Sequence, residues 1–78
     1  MSIKYIITES IYHNGALTRT GYGIAAITEE DGITTVLKSV NDLTPDKAKI
    51  SELVSLCNTQ KLSAIHLYDV AEDFAAVN

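Results

Sequence analysis

An imidazole and three carboxylates fall close together near the carboxy end of the chain: His66, Asp69, Glu72 and Asp73. On a helix, His66, Asp69 and Asp73 stand at i, i+3 and i+7, with Glu72 beside them, so all four share one side. Side chains of these types at this spacing offer a metal two or three ligands, and a histidine with carboxylates suits zinc, manganese or iron. A single helix rarely completes such a site. His13, from the first hairpin, or a second copy of the chain would have to add ligands. The simpler reading is a solvated polar face, on which a histidine and an acid three residues on form a surface pair contributing ~0.2–0.5 kcal/mol. A third reading makes it a surface for a protein partner. Acids late in a helix oppose the macrodipole, which argues weakly that Glu72 and Asp73 serve some other purpose.

Other reactive types carry less. Cys57 as a nucleophile needs a base and an electropositive cleft, and His66 follows nine residues later. Cys57 instead falls on an apolar helical stripe, where a thiol behaves as a small core residue. Gly21-Tyr22-Gly23 lies inside a strand pattern with no helix-opening glycine and no Gly-Lys-Ser/Thr, so it is not a phosphate loop. Two glycines on one strand face predict a bend, a bulge or a groove for a packed helix, with backbone exposed to a ligand as the functional alternative. Tyrosine suits interfaces, and Tyr22 and Tyr68 join the helix face as candidate binding residues. No residue is assigned a catalytic role, and no cofactor is implied.

The elements that would position these residues are readable from pattern. Residues 3–12 alternate, with Ile3, Tyr5, Ile7 and Ile11 on one face and Lys4, Thr8 and Ser10 on the other, as in a half-buried strand. Asn14-Gly15 and Asp31-Gly32 supply hairpin turns, so residues 17–28 and 33–40 form the second and third strands of an antiparallel meander in the order 1-2-3. Its outer strands are free edges able to pair with a second copy. Thr44-Pro45-Asp46 reads as an N-cap, a first-turn proline and a dipole-facing acid, opening a helix over 45–60 with Ile50, Leu53, Val54 and Cys57 inward. Ser63 caps a second helix to residue 77, with Leu62 and Leu67 as a staple and Leu67, Val70, Ala71 and Phe74 inward. The expected fold is α+β, β-β-β-α-α, a single domain over 1–78 with both helices on one face of the sheet. Which face is packed is left open, because Tyr12, Tyr22 and Ile24 could point either way.

Composition bounds the partners. With 46% hydrophobic and 21% charged residues the chain should fold, yet a chain of 78 residues holds a small core, and one cysteine allows no internal disulfide. Self-association is the expected remedy. Ten acidic against six scattered basic residues, a net charge of -4, disfavour direct binding to nucleic acid or an anionic membrane. No apolar run is long enough to span a bilayer, no secretory signal opens the chain, and a lone thiol suits a reducing compartment, so a cytoplasmic location is expected.

The run Leu62-Ser63-Ala64-Ile65-His66-Leu67, continuing as Asp69-Val70-Ala71-Glu72-Asp73-Phe74, with Cys57-Asn58 before it and Tyr22-Gly23-Ile24 in the sheet, resembles a family of short uncharacterised bacterial proteins of clostridial type. That family is known as a domain of unknown function with no assigned activity. The likeness covers most of the chain and is specific mainly over residues 57–74; proline is more usual where Ala64 stands. It implies a cytosolic bacterial protein of this size and carries across no activity, cofactor or partner.

Two functions fit these residues. The first is a non-enzymatic, homodimeric interaction or regulatory module that engages a protein partner through the acidic face of helix two or the open face of the sheet. The alternative is a small metal-binding or hydrolytic protein using His66, Asp69 and Asp73, with His13 as a possible fourth ligand.

Overall fold

Two tight turns set the register of the whole sheet. In the computed structural model, which describes residues 3–77, β1 (Ile3–Asn14), β2 (Leu17–Glu30) and β3 (Ile33–Thr44) form one antiparallel sheet in the order β1-β2-β3. The helices α1 (Lys47–Thr59) and α2 (Leu67–Val77) follow, joined by a single 3-10 turn over Ala64–His66. This is the α+β, β-β-β-α-α arrangement that the patterning predicts.

The first turn differs from expectation by one residue. Asn14 still pairs with Leu17, so the two turning residues are Gly15 and Ala16, and Gly15 alone takes a positive φ, 63°. Glycine at the first turning position is the requirement of a II′ turn, which matches the strand twist as well as Asn-Gly would. At the second turn Asp31 and Gly32 both have positive φ, 52° and 78°, as a I′ turn demands.

β3 runs four residues past the expected end at Val40, because two irregularities in its pairing with β2 let it continue. One is an extra residue at Leu37, between the pairs Ala26↔Lys38 and Ile27↔Val36. The other is wider: Tyr22 pairs with Thr44 but Ile24 with Val40, so Asn41, Asp42 and Leu43 oppose Gly23 alone, and Asp42 adopts φ 56°. Such bulges bend a strand and raise its twist.

The first helix starts later than Thr44-Pro45 suggests. The cap is Asp46, whose Oδ1 accepts from the backbone N–H of Ala48 (2.9 Å) and Lys49 (3.4 Å), while Thr44 Oγ1 accepts from Asp46 N–H (3.1 Å). A carboxylate satisfies the orphan amides and faces the positive helix end, so it displaces the hydroxyl from that role. At the other end Lys61 takes φ 51°, and Leu62 N–H donates to Cys57 O (3.1 Å) as Lys61 N–H does to Asn58 O (3.3 Å). That is a Schellman stop with lysine where glycine is usual. Ser63 makes no side-chain cap, since the chain enters α2 through the 3-10 turn, closed by His66 N–H to Ser63 O at 3.0 Å.

One face of the sheet carries the core. Tyr5, Ile24 and Ala26 from the sheet pack with Ile50, Leu53, Val54 and Cys57 of α1, and with Ala64 and Leu67. Tyr22 and Ile24 thus lie under the helices. Each large side chain so buried contributes ~1.5–3 kcal/mol, and there are few of them. Residues 10–14 and 17–21 pair only with each other, so the first hairpin projects as a two-stranded arm.

Candidate functional site

The residues nominated from sequence are separated by the fold. Asp69, Glu72 and Asp73 lie on the solvent side of α2, and His66 precedes them as the last residue of the 3-10 turn, also exposed. Among the described residues, no three His, Cys, Asp or Glu side chains converge to hold a metal. His13 stands on the hairpin arm, its Nδ1 3.5 Å from the Thr18 hydroxyl. Tyr22 is half-buried against the core, and Tyr68 is exposed, its ring 5.0 Å from Lys38 Nζ. Shallow depressions are found elsewhere: one of about 450 Å³ on the outer side of α1 is lined by Ser51, Glu52, Ser55, Leu56 and Thr59.

Cys57 is buried, and desolvation pushes its thiol above the ordinary value of 9.0. A thiol held protonated in an apolar setting is the opposite of an activated nucleophile. Burial likewise raises Tyr5, with a smaller push from Cys57.

The glycines prove to accommodate a bulge in the neighbouring strand. A Cβ on Gly23 would sit 2.8 Å from Asn41 Cα and 2.8 Å from Thr8 Oγ1, and would overlap the Val40 carbonyl oxygen. One on Gly21 would overlap the Asp42 carboxylate. Asn41 and Asp42 therefore fold over the side of β2 away from the helices. There Asp42 accepts two bonds from Arg19, Nη1 to Oδ1 (3.3 Å) and Nη2 to Oδ2 (3.1 Å), and Arg19 stacks on Tyr12 with its guanidinium carbon 4.6 Å from the ring centre. Both charged groups are substantially solvated, so the pair is worth ~0–1 kcal/mol and chiefly orients side chains.

That side of the sheet is bare of helices yet not polar. Ala25 and Ile27 are buried at its centre between flanking strands, with half-buried Ile6 beside Ala25. Val36 opposes Ile27 and is 59% exposed; Leu37, the extra residue of the bulge, is 39% exposed. On the arm, exposed Tyr12 and Leu17 share this side, and Ile11, exposed as well, faces the other. Consecutive Val36-Leu37, which breaks strand alternation, is the signal in the sequence that marks this bulge and its apolar surface.

The β1 edge is treated differently along its length. Tyr5 N–H donates to Asn58 Oδ1 (2.8 Å) and Asn58 Nδ2 donates to Tyr5 O (2.9 Å), so the amide of Asn58 pairs with the edge as one residue of a further strand would. The Tyr5 hydroxyl donates to Leu62 O (2.7 Å), closing the chain exit from α1 over the same point. Sequence pattern alone gave no sign of Asn58, because it sits on an exposed helix position. Beyond Tyr5 no such cover occurs among the described hydrogen bonds of the edge.

The model of a family described as "Family of unknown function (DUF6514)" matches residues 1–77, and the chain belongs to that family. No curated protein and no solved structure is significantly similar to it.

Proposed function

We propose that this DUF6514 member is a small non-enzymatic interaction module of the bacterial cytoplasm that works as a homodimer and engages a protein partner through the sheet. One observation carries the reading: the helices cover a single face, leaving Val36 and Leu37 exposed beside Ile27 on the other, and the projecting arm exposes Tyr12 and Leu17 on that same side and Ile11 on the opposite one. A chain of this size buries only ~60% of its unfolded surface, so apolar area left exposed is a cost that a second chain removes. The lone, unpaired Cys57 fits a reducing compartment, and the clostridial type of the resemblance fits a bacterial source.

The choice between this module and a metal-dependent protein rests on solution mass. Light scattering after size exclusion, on wild type and His66→Ala with and without added zinc or manganese, should give a dimer indifferent to metal and to the substitution. A mass or melting temperature that rises with metal in wild type and not in His66→Ala would overturn the proposal in favour of a site at His66, Asp69 and Asp73.

A further inference from the structure

The free part of the β1 edge has a register in which it is complementary to itself. Tyr5 turns both backbone polar groups away from β2, toward Asn58. Pairing with β2 continues unbroken to Asn14, so the two-residue period of an antiparallel ladder turns the groups of Ile7, Glu9, Ile11 and His13 outward as well. Edges of this length without cover are templates for another strand.

We propose that this segment pairs antiparallel with the same segment of a second copy, about a twofold axis at Ile11, making one continuous six-stranded sheet. The inference rests on the self-association proposed above. Only outward-facing residues can oppose one another, a condition met by an axis at any residue from Thr8 to Tyr12. An axis at Thr8 brings Tyr5, blocked by Asn58, opposite Ile11, and one at Tyr12 sets Ile11 against His13 and leaves Glu9 at the turn of the second copy. An axis at Glu9 sets two carboxylates face to face and brings Tyr5, blocked by Asn58, opposite His13. An axis at Ser10 leaves each Glu9 against an isoleucine. At Ile11 the exposed isoleucines meet, each Glu9 stands across from His13 of the second copy, and Tyr5 lies beyond the partner's turn, undisturbed. When His13 Nδ1 accepts from the Thr18 hydroxyl, its proton resides on Nε2, free to donate to that carboxylate. An isologous contact of this kind closes at two copies.

The test reads dissociation constants by sedimentation equilibrium. Ile11→Pro removes the central N–H without touching the β1–β2 ladder, and should leave a folded monomer. Glu9→Lys and His13→Glu should each weaken the dimer on the order of tenfold, because each is lost twice in a symmetric interface. The double variant Glu9→Lys/His13→Glu should return to near the wild-type value. Should Ile11→Pro fail to fold, the charge variants decide alone. A wild-type dimer unaffected by these changes overturns the register while leaving self-association standing; a wild-type chain monomeric at every concentration overturns both.

Discussion

Asn58 is the residue whose chemistry most directly joins the two layers. Its amide makes two bonds to the Tyr5 backbone at the end of α1, and the Tyr5 hydroxyl reaches the Leu62 carbonyl just past the helix stop. Asn58→Ala leaves a partly buried N–H and C=O unpaired, and should cost about 1–3 kcal/mol in urea unfolding. A loss below a few tenths of a kcal/mol would mean water replaces the amide at no cost. The same neighbourhood sets the alkaline limit. Cys57 and Tyr5 are acids held above their ordinary values of 9.0 and 10.0, so the fold prefers their neutral forms. Their contribution is complete below the unfolded values and is lost as pH rises through the folded ones. The urea midpoint should therefore hold from pH 7 to about 9 and fall above it, with the onset moving upward in Cys57→Ala.

Among the elements, β3 shows why two glycines are needed on β2. At Gly23 an added methyl meets backbone, the Val40 carbonyl and Asn41 Cα, whereas at Gly21 it meets the Asp42 side chain, which can turn at the loss of its exposed pair with Arg19. Gly23→Ala should cost about 1–3 kcal/mol or more and Gly21→Ala distinctly less, measured by thermal unfolding. Equal costs would show that the bulge yields as a whole. The same bulge marks the limit of what local sequence pattern encodes. Period-two alternation, Asp31-Gly32 and the Ile50–Cys57 stripe gave the strands, their order and the inner faces of the helices, because each is a local pattern. Gly21 and Gly23 announced a bulge, but not that it belongs to the opposite strand, since the cause lies some twenty residues away at Asn41 and Asp42. The cap passed from Thr44 to Asp46 because the bulged β3 carries Thr44 into the sheet, where it pairs with Tyr22. Of the candidate site, the exposure of Asp69, Glu72, Asp73 and Tyr68 follows the helical period, while Tyr22 is half-buried and His66 falls in a 3-10 turn that no residue pattern marked.

At the scale of the molecule, one layer of helices covers one face of a sheet whose first hairpin extends past it, giving an elongated shape of 44 × 30 × 18 Å. An isolated two-stranded arm is marginal in water, and its exposed Ile11, Tyr12 and Leu17 gain most from a second chain. A free edge that is capped by Asn58 at one point and open beyond it restricts where such a chain can add. Sedimentation equilibrium of the wild-type protein from micromolar to millimolar concentration tests this account most directly. It predicts a mass that climbs to twice that of the single chain and is unchanged by chelator; a single-chain mass throughout, with no exchange protection gained along β1, would contradict it.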